Sequence, residues 1–471
     1  MRSDGPADGP RAGPARPAAR PRTSREVALE VLHRVDADRA FSGVLLRTAL
    51  DRAGLSAVDE ALATEITLGT LRHRAEVDWV LSQVTRTPLG DLPSRIRAVL
   101  RIGAYQLLFL DRVPPSAACS QAVELAKQVG HPGTARLVNA VLRRIAASPI
   151  AIPDGGGAPE GIALRHSHPA WLVGRWMARF GSEETRALCR ANNAAPPAAI
   201  RLNTLRGTPE SVADALERLG VRTVPSALLP EGARIVSASP DARRAAYAGG
   251  WYSPQDEGSM LVGRLVAPLP GETVIDACAG SGGKTIHLAA LMENQGRIVA
   301  CDPVPAKIDA LVRQCARTGV RIVDPRPIAA AHLEAAVPGG ADRVLVDAPC
   351  SGLGVLRRRP EIKWRLRPED LPGLAARQLE ILEDAARAVR PGGTLVLAVC
   401  SLEPEEGSEV AARFLGAHAG FEPVPVTGWP PGAGGAPAPA ALPAGPGAAL
   451  LTPHRHGTDG FFVAVFRRRT P

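Results

Sequence analysis

Thr273-Val274-Ile275-Asp276-Ala277-Cys278-Ala279-Gly280-Ser281-Gly282-Gly283-Lys284-Thr285 joins a short β-forming run to a helix-forming one through a loop with three glycines. Thr, Val and Ile fit a pleated strand, and glycine lets a backbone approach a ligand closely. The helix that follows aims unpaired N–H groups at negative charge. A triphosphate-binding P-loop needs glycine five residues before Gly283, where Cys278 stands, and a dinucleotide fingerprint needs one where Thr285 stands. S-adenosylmethionine (SAM) asks for a glycine turn and an acid ending the next strand. Asp302 is that acid, and a carboxylate accepts both ribose hydroxyls. Ribose binding is shared by NAD and SAM, so the loop alone leaves both open.

Working outward, β runs at 273–277, 297–301, 343–347, 394–398 and 461–466 alternate with helical stretches at 284–292, 305–317 and 374–389. This is the rhythm of a doubly wound α/β sheet, which binds ligands at the carboxyl ends of its strands. Two of those ends read Asp347-Ala348-Pro349-Cys350 and Cys400-Ser401. A lone cysteine is usually a small buried hydrophobe, the reading given to Cys119, Cys189 and Cys315. Two cysteines at two strand ends beside a cofactor loop point instead to chemistry. Seven cysteines without a Cys-x-x-Cys pair argue against a disulfide framework or a metal site.

Residues 1–22 are rich in Pro, Ala, Arg and Gly without an apolar segment, which describes a disordered basic tail and not a secretory signal. Thr23-Ser24-Arg25-Glu26 is a capping pattern. Apolar residues then recur at helical spacing (Val27, Val31, Val35; Ile96, Val99, Leu100; Val138, Val141, Leu142, Ile145) with short breaks, predicting an all-α bundle at 23–150. A linker at 151–163, a small α/β subdomain at 164–255 and a third region at 256–471 follow, the last with a flexible Pro/Ala/Gly insertion at 423–447. His168 to Arg190 has a helical pattern. No run reaches the ~18 apolar residues of a membrane span, so a cytoplasmic protein without a membrane partner is expected. The net charge of +9 favours an anionic partner. Only four of the 56 basic residues are lysine, which suits nucleic acid and would equally follow from a GC-rich genome.

The loop 278–284, Asp347-Ala348-Pro349-Cys350 and Cys400-Ser401 together resemble the Sun/Fmu (RsmB-type) RNA cytosine-5 methyltransferases. Pro196 to Asn203, Gln255-Asp256-Glu257, Arg357 to Trp364 and Gly457 to Phe462 are similar to further motifs of that family, and residues 23–150 to its NusB-like RNA-binding domain. The resemblance implies a Rossmann-like SAM methyltransferase domain at 256–471 behind an all-α NusB-like domain. It implies that SAM is held by Cys278, Ala279, Gly280, Ser281, Gly282, Gly283, Lys284, Asp302 and Asp347. Two departures stand out. The family loop Ala-Pro-Gly-Gly-Lys is Gly280-Ser281-Gly282-Gly283-Lys284 here. The acid expected after the third strand, near 328–330, is missing, and Asp324 comes too early to take its role.

The same resemblance makes Cys400 the nucleophile that adds to C6 of cytosine and gives Cys350 the release step. Asp347 would pair with the N3/N4 edge of the base, and Lys284 would hold the loop or touch the base. The base must leave its stack, so a single-stranded or loosened RNA is implied, 16S ribosomal RNA first and transfer RNA as the alternative. Arg357, Arg358, Arg359, Lys363 and Trp364 are expected to touch that RNA, and the protein to act as a monomer. A non-catalytic RNA-binding factor and a P-loop nucleotidase are the competing classes; the intact cysteines oppose the first and Cys278 the second.

Overall fold

The computed structural model describes residues 22–38, 40–148, 150–153, 156–427, 429 and 440–471. The expected basic tail, but for Arg22, and the centre of the expected 423–447 insertion lie outside them. The N-terminal unit is built from the helices Ser24–Asp38, Ser42–Ala53, Ala57–Arg72, Arg74–Val84, Ser94–Phe109, Pro115–Val129 and Pro132–Ala147. The capping pattern opens the first: Thr23 Oγ1 accepts the Glu26 N–H at 3.3 Å, and the Glu26 carboxylate accepts the Thr23 N–H at 2.7 Å. Ile66, Val80, Leu81, Val99, Ile102 and Leu142 are wholly buried between the helices. A Cβ at Gly103 would come within 2.4 Å of Leu142, so two of these helices meet closely because that position has no side chain.

The expected linker contains the helix Pro159–Arg165, whose Ile162 and Ala163 are buried against the catalytic sheet. The helical stretch expected from His168 to Arg190 is made of two helices, Ala170–Phe180 and Ser182–Asn193, separated at Gly181 with φ of 81°. An antiparallel sheet follows, made of Ala199–Leu202 (β1), Val221–Pro225 (β2), Gly232–Ala238 (β3) and Tyr252–Pro254 (β4) in the order 2-3-1-4.

The catalytic sheet takes Thr273–Asp276 (β5), Arg297–Cys301 (β6), Val323–Arg326 (β7), Ala341–Asp347 (β8), Val389–Val399 (β9), Phe421–Pro423 (β10), Leu442–Pro443 (β11), Ala448–Leu451 (β12) and Phe461–Arg468 (β13). Its order is 11-12-13-9-8-5-6-7, with β10 also on β13. The block β5–β9 is parallel and β13 runs antiparallel to β9. Val344, Leu345 and Val346 are all fully buried, as expected where helices cover both faces.

Residues 357–364 are placed differently from their expected role at the RNA. Arg357 and Arg358 both pair with Asp256 and Asp459, at 2.6–3.1 Å. Lys363 is 1% exposed and donates to the Arg72 carbonyl and to Asn193 Oδ1, both at 3.0 Å. The Trp364 indole donates to the Leu71 carbonyl at 2.7 Å, and the buried Glu361 accepts the Ser42 hydroxyl at 2.6 Å. The segment therefore clamps the helical unit onto the catalytic sheet. Of its arginines only Arg359 is exposed, its guanidinium 6.0 Å from the Phe41 ring centre.

Burial pushes the Lys363 amine down to about 7, far below the ~10.4 of an unfolded chain. Between those values the unfolded chain holds the extra proton, so this group makes the fold more stable as pH rises from about 7 towards ~10. Thermal midpoints across that window should show the natural protein gaining on Lys363→Met. Parallel curves for the two proteins would remove Lys363 as the source of the slope.

Candidate active site

Parallel pairing puts the functional loops side by side. Asp276 ends β5 beside Ala300 of β6, and Asp302 follows two residues later; Asp347 ends β8 beside Ala398 of β9, with Cys350 and Cys400 just beyond. A cavity of about 310 Å³ opens at these ends, lined by Ala277, Cys278, Gly280, Asp302, Pro303, Lys307, Ala329, Ala330, Asp347, Pro349, Arg377 and Ile381.

Asp302 is 4% exposed and accepts the Val304 N–H at 2.9 Å and the Lys307 ammonium at 3.0 Å. A carboxylate offers about four acceptor sites, so it retains capacity for a ribose diol. The glycine loop divides its labour. Gly280, with φ of 55°, and Cys278 face the cavity, whereas Ala279 donates its N–H to the Cys301 carbonyl at 2.8 Å. Ser281 and Gly283 are exposed and do not line the cavity. Gly282 packs against Leu311, which a Cβ there would meet at 2.3 Å. Asp324 points elsewhere, paired with Arg297 at 2.6 Å and Arg326 at 2.8 Å, and Ala329 and Ala330 form the wall where the family carries its third acid. Apolar Ala329, Ala330, Pro303 and Ile381 share the cavity wall with the buried Asp302 carboxylate. Apolar walls beside a carboxylate with spare acceptor capacity fit an adenosine-bearing cofactor.

Lys284 does not line the cavity itself but reaches Asp347, which does. Its ammonium lies 2.6 Å from Asp347 Oδ2 and 5.1 Å from the Phe461 ring centre. Burial works against that charge, but Asp347 outweighs it and holds the Lys284 pKa above its ordinary value. The Cys350 and Cys400 sulfurs are 3.2 Å apart. The hydrogen bond to Cys400, then burial, then the charges of Cys400 and Glu406 hold the Cys350 thiol well above its usual range. A Cβ at Gly354 would fall 2.2 Å from the Gly460 carbonyl and 3.0 Å from that of Cys400, so only glycine passes behind the Cys400 loop.

Two residues in the site had no assigned role. Asp276 is buried with its carboxyl pushed up to about 6 by burial; one oxygen accepts the Thr285 hydroxyl at 2.7 Å, and the other has no protein partner. Arg201, also buried, donates to the Gly283 carbonyl at 3.0 Å and to Gln255, tying the small sheet to the start of the loop helix. A strand-ending acid before the glycine loop could have flagged Asp276. Nothing local marks Arg201, because its partner lies 82 residues away. All seven cysteines are free, and no metal-sized group of His, Cys, Asp or Glu occurs among the described residues.

A parallel sheet with a glycine turn after its first strand, an acid beyond the second and polar groups at the next carboxyl ends defines a Rossmann-like α/β domain that binds its ligand at those ends. The family described as 16S rRNA methyltransferase RsmB/F matches residues 264–467, the NusB family residues 22–147, and an RsmF/B-like ferredoxin-like domain residues 168–240. The "Probable ribosomal RNA small subunit methyltransferase B" of Bacillus subtilis strain 168 is 34% identical over 454 residues, covering 94% of this chain and 98% of that protein. The ribosomal RNA small subunit methyltransferase B of Escherichia coli K12 is 31% identical over 357 residues, 76% of this chain and 82% of that one. The crystal structure of PH0851 superposes with a TM-score of 0.79 at 29% identity, covering 94% of this chain and 99% of that one. The chain belongs to the RsmB/F family of SAM-dependent ribosomal RNA methyltransferases.

Proposed function

We propose that this protein methylates C5 of a cytosine in 16S ribosomal RNA through a covalent Cys400–C6 adduct, acting as a cytoplasmic monomer. The observation that carries the reading is the pair of thiols 3.2 Å apart, one of them next in sequence to Pro349, which lines the Asp302 cavity together with Asp347. When bound, SAM supplies an electrophilic methyl group; Asp302 would hold its ribose, and Cys278 and Gly280 its backbone-facing side.

Position C5 of cytosine is a poor nucleophile. Addition of the Cys400 thiolate at C6 breaks the C5–C6 double bond and places electron density on C5, so a hard step becomes two easier ones. The Asp347 oxygen not engaged by Lys284 accepts a hydrogen from the N3/N4 edge and stabilises the ring as it gains positive character. After methylation a general base takes the C5 proton, the C–H electron pair re-forms the C5–C6 double bond, and the C6–S bond breaks with its pair returning to Cys400 as thiolate. Cys350, kept a neutral thiol beside Cys400, is placed to donate a hydrogen bond to the departing Cys400 sulfur as the C6–S bond breaks.

Bisulfite sequencing of ribosomal RNA from a strain lacking the protein should show one 16S cytosine losing protection, restored by the natural gene. In the purified protein, Asp302→Ala should weaken SAM binding by roughly 1.5–3 kcal/mol, the value of hydrogen bonds to a charged acceptor. Native SAM affinity in that variant would remove the ribose role, and an unchanged bisulfite pattern the substrate.

A further inference from the structure

Glu406 sits in the short turn Pro404–Glu406, and its carboxylate is fully buried. None of the ion pairs among the described residues involves it, so it is a buried charge held by neutral donors alone. Oε1 accepts the Ser351 backbone N–H at 2.7 Å and the Gln378 side-chain amide at 3.1 Å. Oε2 accepts the Ser351 hydroxyl and the Ser401 hydroxyl, each at 2.5 Å. Burying an isolated carboxylate is expensive, and these four donors are what offset it.

The identity of the donors carries the inference. Ser351 follows Cys350 and Ser401 follows Cys400, so one carboxylate grips the residue next to each thiol, on two loops 50 residues apart in sequence. Gln378 adds a third anchor, because the same amide donates to the Pro349 carbonyl at 3.0 Å. We propose that Glu406 is the positioning residue that registers the two cysteine loops and so sets the separation of their sulfurs. Its charge also bears on Cys350 and favours the neutral thiol. The proposal rests on the reading that both cysteines act in turnover.

Two variants separate reach from charge. In Glu406→Gln the amide oxygen can take the Oε1 bonds and the amide nitrogen can donate to the serine hydroxyls, so the shape survives without the charge. In Glu406→Asp the charge survives, but the chain is one methylene too short to reach both loops. The first readout needs neither RNA nor SAM: the rate at which the oxidant diamide couples Cys350 to Cys400, each thiol losing a proton and an electron as the S–S bond forms. Glu406→Asp should slow coupling at least tenfold and Glu406→Gln should not. The second readout is methylation. Glu406→Asp should lower kcat by about a hundredfold, the scale of a 1 Å misplacement, with KM for SAM unchanged. Glu406→Gln should keep most of kcat but lose activity at lower pH on the alkaline side, because Cys350 gives up its proton more easily.

Wild-type coupling in Glu406→Asp, or coupling equally slow in both variants, would overturn the positioning role. Slowed coupling with wild-type turnover would leave the registration intact and overturn the assignment of both cysteines to catalysis.

Discussion

Cys400→Ser is expected to abolish methylation, a loss on the order of 10⁶-fold by analogy with removal of other covalent nucleophiles. A hydroxyl is far less acidic and less nucleophilic than a thiol, so no covalent protein–RNA species should form. Cys350→Ser should also lose turnover, for a different reason. The sulfurs are 3.2 Å apart, so removing one leaves the other free to attack but without its proton partner during elimination. Methylated RNA should then stay attached through Cys400. A denaturing gel with labelled RNA should show a slow-migrating adduct for Cys350→Ser and none for Cys400→Ser or the double variant. An adduct trapped by Cys400→Ser and absent from Cys350→Ser would reverse the roles and make Cys350 the nucleophile.

Arg357→Ala should destabilise the protein by about 3–5 kcal/mol, the cost of removing one partner from a buried ion cluster. Asp256 and Asp459 are 8% and 2% exposed, and burial already raises the Asp459 pKa. Without Arg357 the two carboxylates face each other with Arg358 alone. Asp256 also accepts the Gly258 N–H and the Asp459 N–H, both at 2.8 Å, so the strain reaches the helix before β5 and the approach to β13. Arg359→Ala, two residues on and exposed, should change stability by no more than about 0.5 kcal/mol. Denaturant unfolding of the two variants tests the contrast; equal stabilities would show that the cluster contributes nothing net.

Local pattern made much of the fold legible. The strand runs 297–301, 343–347 and 461–466 lie within β6, β8 and β13, because the buried centres of these strands, 298–300, 344–346 and 461–466, are continuous apolar runs. β7 was not legible: it is four residues, Val-Asp-Pro-Arg, at the sheet edge, where a proline and two charges are tolerated. The helix Pro159–Arg165 was hidden by the Gly/Pro-rich run before it, since composition over a window outweighs a seven-residue element. Nothing in the local sequence marks His168 and His456 as buried, yet they are 2% and 6% exposed.

The sequence by itself determined that a glycine loop, an acid and two cysteines lie at the carboxyl ends of parallel strands. Strand polarity and the step from a pleated run to a glycine turn are local properties, written within a few residues of each group. What each charge is spent on was decided only by tertiary structure. Arg357, Arg358 and Arg359 are identical in type and adjacent in sequence, yet two are locked onto Asp256 and Asp459 and one is exposed. Lys363 meets a carbonyl 291 residues away, and Glu406 meets a serine 55 residues away. A side chain's charge fixes what it can bind, but its partner is chosen by the packing of elements remote in the chain, and no local pattern records that choice.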